Sequence, residues 1–140
     1  DGTIATQINT TCEAIFTLEN DSSYSSATIN SIQLSVTGRT AGKASSCEAI
    51  CRILNSSNTA LQSTTHTFGT STTTQTSAEY TTSLTSTIVD GLKITIEPDS
   101  AGMILAEVFL VVDYAPAIVL NGSVELKSGK YKIVAGKIKI

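Results

Sequence analysis

Apolar and polar residues alternate along much of this chain with the two-residue period of a strand. In INSIQLSVTG, Ile32, Leu34 and Val36 share one face and Ser31, Gln33, Ser35 and Thr37 the other. In GLKITIEP, Leu92, Ile94 and Ile96 oppose Lys93, Thr95 and Glu97. Successive side chains of an extended chain point to opposite faces, so each stretch predicts a strand with one face in a core. CEAIFTL and CEAICRIL carry apolar residues on both faces, as expected of strands covered on each side or packed at a subunit contact.

The most apolar run is GMILAEVFLVVDYAP, Gly102 to Pro116. A membrane-spanning helix needs about 20 apolar residues, and this run is shorter and carries Glu107 and Asp113. Its β-branched and aromatic content, closed by Pro116, predicts a long strand. Strict alternation puts Ile104, Ala106, Val108, Leu110 and Val112 on its interior face. No segment combines a helical period with caps. Residues 63–87 hold 17 Ser or Thr in 25 positions, with Phe68, Tyr80 and Leu84 as the large apolar residues. Thr favours strands, so THTF and AEYTTSL are predicted to form outer strands around a loop at GTSTTTQTS.

The tail repeats. GSVEL, GKYKI and GKIKI recur every seven residues from Gly122, which predicts three five-residue strands joined by two-residue turns. Short strands bury little by themselves, so Val124, Leu126, Tyr131, Ile133, Ile138 and Ile140 form a candidate assembly interface. The chain thus divides into a body, residues 1–116, and an assembly segment, residues 117–140, whose removal from Asn121 onward is expected to leave the body folded.

Composition sharpens this picture. The 140 residues suffice for one main domain. Charged residues make up 15% and Ser plus Thr number 40, so the surface is neutral hydroxyl, as in extracellular or virion β-proteins. Up to Pro116 there are four basic and eleven acidic residues; beyond it Lys127, Lys130, Lys132, Lys137 and Lys139 face only Glu125. These lysines alternate with apolar residues, the pattern of a guarded sheet edge. The acidic body argues against nucleic acid as a partner, and no membrane partner is expected. Cys47 and Cys51 would lie about 13 Å apart along a strand, too far to bridge. A disulfide would therefore need Cys12, and buried reduced thiols are the simpler expectation. Asp1 stands where an initiator Met would, so a processed or trimmed chain is expected.

Catalytic chemistry is not apparent. His66 is the one histidine, it sits among threonines as a surface residue would, and no nucleophile elbow accompanies any serine. Cys47, Cys51 and His66 lack zinc-site spacing. Glu97 and Asp99 flank Pro98 and read as turn residues rather than a glycosidase pair. No catalytic residue, metal ligand or cofactor is expected. Tyr24 and Tyr80 are candidate platforms for a glycan. The N-x-S/T triplets at Asn9, Asn20, Asn55 and Asn121 are expected by chance at this Ser/Thr content.

The succession ATINSIQLSVTGRTAG, CRILNSSNTALQSTTHTF, EYTTSLTSTIVDGLKITIEPDSAG, MILAEVFLVVDYAP resembles the β-sandwich modules of tailed-phage virion proteins in tails, fibres and head decorations. The closing Asp113, Tyr114 and Pro116 belong to that pattern, which covers roughly Ala27 to Pro116. The Trp usual before the penultimate strand is replaced by YTTSLTS, which weighs against a Trp-dependent glycan site. The resemblance implies an all-β, antiparallel, jelly-roll-like β-sandwich carrying a C-terminal short-strand repeat. It implies a non-enzymatic structural protein, assembled in the host cytoplasm and displayed on the virion surface. Its expected partners are copies of itself, a trimer being favoured as in many fibres, other virion proteins and a host surface glycan. The alternatives are a glycan-binding receptor domain and a secreted filament or adhesin subunit.

Overall fold

The computed structural model describes residues 6–8, 14–18, 27–99, 101–115 and 129–139, with side chains described for Ile15, 27–99 and 101–115. The strands are β1 (Thr6–Ile8), β2 (Ala14–Leu18), β3 (Thr28–Thr40), β4 (Ser46–Leu54), β5 (Ala60–Gly69), β6 (Thr73–Thr76), β7 (Lys93–Pro98), β8 (Met103–Ala115) and β9 (Gly129–Lys139). One short helix, α1 (Ser86–Asp90), interrupts them. Every ladder is antiparallel, so the all-β class is as the alternation predicts.

The strands form one hydrogen-bonded path, β5-β4-β7-β2-β9-β8-β3-β6, with β1 beside β8. At its middle, β9 pairs with β8 through residues 129–134 and with β2 through 135–139. The turn expected before Gly136 does not form: GKYKI and GKIKI make one eleven-residue strand. The reason is supply of partners, because β8 and β2 together offer a ladder to nearly the whole stretch, which a hairpin of two short strands would forfeit. β9 joins the two halves of the path, so removing residues 121–140 would take from both β8 and β2 the strand they share. An intact body after that truncation is therefore not expected. At the other end, β5 and β6 are separated only by residues 70–72. Gln75 Nε2 donates to the Thr67 carbonyl at 3.3 Å, and Gln62 Nε2 to that of Ala78 at 2.9 Å.

A single buried cluster draws on both halves: Ile32, Leu34, Val36, Leu105, Val108, Leu110 and Val112 from β3 and β8, and Cys47, Ala49, Cys51, Ile53, Ile94 and Ile96 from β4 and β7. Ile29, Leu92 and Met103, with Phe68 of β5 and Val89 of α1, complete it. The faces predicted for Ile32, Leu34 and Val36 and for Leu92, Ile94 and Ile96 are the buried ones. CEAICRIL is cleaner than its composition suggests, with Cys47, Ala49, Cys51 and Ile53 buried and Ile50, Arg52 and Leu54 half-buried. Ser31 and Ser35, read as outward, are only 5% and 3% exposed.

Strict alternation fails in β8. Glu107 pairs with Thr37 but Leu105 pairs with Gly38, so Ala106 is an extra residue, a β-bulge. A bulge switches the parity of the strand: Met103 and Leu105 are buried before it, Val108, Leu110 and Val112 after it. Ile104 and Ala106, predicted to be interior, are half-buried on the other face. Gly38 sits where a Cβ would lie 2.8 Å from the Ile104 carbonyl oxygen and 2.7 Å from Met103 Cε. Only a glycine lets the two backbones approach so closely at the bulge.

AEYTTSL is not a strand. Tyr80 makes an isolated bridge to Ile32, and the chain then turns into α1. Thr85 caps that helix, its Oγ1 accepting from the Ile88 amide at 3.2 Å. Five residues are too few to display a helical period, which is why the alternation does not reveal it.

Candidate functional site

The two carboxylates singled out from the sequence, Glu97 and Asp99, have structural partners. Glu97 forms an ion pair with Arg52 at 2.9 Å. Asp99 closes a turn: Oδ2 accepts from the Glu48 amide at 3.0 Å and Oδ1 from the Ala101 amide at 2.9 Å. Cys47 and Cys51 are free thiols buried on one face of β4. Burial pushes the Cys51 thiol up to about 12, with Arg52 lowering and Cys47 raising it. Burial, with the Asp99 carboxylate behind it, raises Cys47 too. Both remain thiols at neutral pH, which makes them poor nucleophiles. Cys12 lies outside the described residues.

His66, expected at the surface, is 8% exposed. It lies opposite Ala49 in the β4–β5 ladder, with its ring edge-on to Phe68 at 6.4 Å. Its Nε2 is buried without a hydrogen-bond partner among the described residues, and burial holds its pKa below the usual histidine value. The position follows from the parity of β5, which buries His66 and Phe68 and exposes Thr65 and Thr67. Among the described residues, no group of three or more His, Cys, Asp or Glu could hold a metal ion, and no helix is long and apolar enough to cross a membrane.

One concavity gathers polar groups around an apolar base. It is a cleft of about 220 Å³ lined by Asn55, Ser56, Leu61, Tyr80, Thr82, Ser83, Leu84 and Ile88. Tyr80, one of the two tyrosines singled out from the sequence, lines it; Tyr24 lies outside the described residues. The backbone of Tyr80 is fixed by two bonds to Ile32, N to O at 2.8 Å and O from N at 2.9 Å. Upstream, the buried Ser77 anchors the same segment. Its Oγ accepts from the Leu34 amide at 3.1 Å, its amide donates to the Leu34 carbonyl at 2.9 Å, and its carbonyl accepts from Gln33 Nε2 at 2.9 Å.

The opposite lip is the β4–β5 turn. Asn55 Oδ1 accepts from the amides of Ser57 at 3.0 Å and Thr59 at 2.9 Å, and Asn58 takes φ of 62° as an Asn can. Lys93 Nζ donates to Asn58 Oδ1 at 2.7 Å and ties the turn to β7. Gly91 lies against it, where a Cβ would come within 3.1 Å of Ser56 Cβ. Ser83 is held at φ of 52°, a left-handed conformation that costs a non-glycine residue about 1–3 kcal/mol. Asn55, Ser56, Thr82 and Ser83 could not be picked out from the sequence, because the cleft joins a turn to a loop that pack together only in the fold.

Of the candidate assembly residues, Tyr131, Ile133 and Ile138 stand on β9 in register with Val112, Leu110 and Phe16. Val124, Leu126 and Ile140 lie outside the described residues. Comparison of the chain with protein-family models, with curated proteins and with solved structures finds no match in any of the three.

Proposed function

We propose that this chain is a structural virion module of a tailed bacteriophage, a jelly-roll-like β-sandwich that assembles into a homo-oligomer on the particle surface, and that it catalyses no reaction. The sandwich reading is supported by the one core shared between the β3–β8 and β4–β7 ladders, with β9 passing from one half to the other as a corner strand does. The observation that carries the assembly reading is the edge strand β5. It is ten residues long, ends the path, and contains no Lys, Arg, Asp, Glu or Pro. Charge and proline are two of the devices by which monomeric proteins guard such an edge, and β5 has neither. Its irregularity is the register shift at Leu61, and Gln75 on the Thr67 carbonyl and Gln62 on that of Ala78 are side-chain contacts between it and the β6 segment. The lysine-bearing β9, by contrast, has its described ladders inside the chain.

A symmetric oligomer that joins at β5 predicts that Ser63→Lys combined with Thr65→Lys will dissociate it. Light scattering should give a multiple of the chain mass for the wild type and the mass of one chain for the variant, whose far-ultraviolet circular dichroism should be retained while its melting temperature loses the concentration dependence of an oligomer. Immunogold labelling of intact particles with an antibody to the domain tests display. A wild-type chain that stays monomeric at all concentrations, or particles that label only after disruption, would overturn the proposal.

A further inference from the structure

We infer that the Tyr80 cleft is a binding site for one neutral pyranose ring of a glycan. The inference goes beyond the proposed assembly role and does not depend on it. Four features of the cleft converge on that ligand class. Its lining contains no acidic or basic side chain, so nothing in it would repay the desolvation of a phosphate, a carboxylate or a cation. Its volume of about 220 Å³ is below the roughly 300–1,000 Å³ typical of sites for drug-sized ligands, which fits one ring with the remainder of the glycan outside.

The lining is also split by polarity. Leu61, Leu84, Ile88 and Tyr80 are the lining residues with apolar surface for the C–H face of a sugar, while Asn55, Ser56, Thr82 and Ser83 carry hydrogen-bonding groups for its hydroxyls. Asn55 Oδ1 is already engaged by two backbone amides, which fixes the orientation of the side-chain amide and presents Nδ2 as its remaining donor. The hydroxyls of Tyr80, Ser56, Thr82 and Ser83 have no protein partner among the described residues.

Finally, the cleft is held in shape before any ligand arrives. Tyr80 is pinned to β3 through both backbone groups, Asn55 is locked in its turn, and Ser83 keeps a strained left-handed conformation at the lip. Strain that the surrounding structure sustains is a feature of ligand clamps, and a preformed site loses less conformational freedom on binding.

The test is a titration of the isotopically labelled full chain with methyl glucoside, methyl galactoside, methyl mannoside and N-acetylglucosamine, followed by amide chemical shifts up to about 50 mM, the range in which millimolar affinities saturate. N-acetylneuraminate serves as the charged control. At least one neutral sugar should give saturable shifts at Ser56, Thr82, Ser83 and Leu84. Thr82→Val together with Tyr80→Phe should weaken binding at least tenfold, with the amide spectrum otherwise retained and the oligomer mass unchanged. Absence of saturable shifts at the cleft, shifts that survive the double variant, or equal binding of N-acetylneuraminate would each overturn the inference.

Discussion

The bulge at Ala106 makes a quantitative prediction about two adjacent residues. Leu105 is 2% exposed and belongs to the core cluster, whereas Ile104 is half-buried on the opposite face. Truncating a buried leucine to alanine removes its transfer free energy and leaves a cavity, at a cost of about 2–5 kcal/mol. The β8 position of Leu105 is boxed in by its ladder with Gly38, which cannot supply a side chain to fill the space. The cost should therefore lie in the middle of that range or above. Ile104→Ala removes a similar number of carbons from a face that water already reaches, and the cost should be about 1 kcal/mol, roughly one buried methylene.

Equilibrium urea unfolding measures both. The chain has four tyrosines and no tryptophan, so far-ultraviolet circular dichroism is the better probe, with tyrosine fluorescence as a check on two-state behaviour. Slopes should match the wild type, so that shifts of midpoint report stability. Uninterrupted alternation of GMILAEVFLVV gives the reverse ranking, with Ile104 in the core and Leu105 outside. If Ile104→Ala costs as much as Leu105→Ala or more, the bulge and the parity switch are wrong.

Gly38→Ala should destabilise by about 1–3 kcal/mol because its Cβ meets the Ile104 carbonyl, a backbone atom that cannot swing aside, while Gly69→Ala, with nothing within 4 Å, should be neutral or slightly stabilising in the same urea assay. Ser77→Ala removes the Oγ that accepts the Leu34 N–H and should cost about 1–3 kcal/mol, with faster hydrogen exchange at the Leu34 amide; unchanged exchange would refute the role given to Ser77. His66 titrates in the folded state below its unfolded value, so the unfolded chain takes up the proton first as pH falls. Stability from this group should be complete above about pH 6.5 and decline below it until the folded pKa is passed; His66→Leu should flatten that decline, and an unchanged pH profile would show that His66 does not cause it.

Much of the fold was legible because a period of two needs only a few residues to declare itself. Ile32, Leu34 and Val36 and Leu92, Ile94 and Ile96 are buried as their spacing dictates, although Ser35 and Thr95 between them are buried too. What escaped is whatever a single extra residue or a single partner decides. Ala106 looks like any other residue of its strand, yet it reverses the meaning of the two residues before it. The glycine repeat of the tail is a strong local turn signal, but from Gly129 onward β8 and β2 supply partners that keep the chain extended. His66 was misplaced because its neighbours are threonines, whereas the parity of β5 is set by Phe68 two positions along.

The Ser/Thr-rich stretch was the least legible of all, since composition cannot distinguish hydroxyls that face water from hydroxyls that replace backbone groups. Ser77 is the second kind. β6 pairs with β3 only as far as Ser35 opposite Thr76, and the next amide along β3, that of Leu34, is buried. Because Ser77 Oγ accepts that amide in place of a ladder carbonyl, the chain can leave the regular ladder at Thr76 without stranding a buried donor. The ladder resumes at Tyr80, which exchanges both backbone bonds with Ile32, so Ser77 to Glu79 bridge two residues of β3 with three of their own. That offset brings Tyr80 to the end of the sheet, where the chain turns toward α1 and closes the cleft against the Asn55 turn. Ser77 thus lets the chain leave the β6 ladder without stranding the Leu34 amide and still carry Tyr80 into its paired bonds with Ile32, from which it lines the cleft.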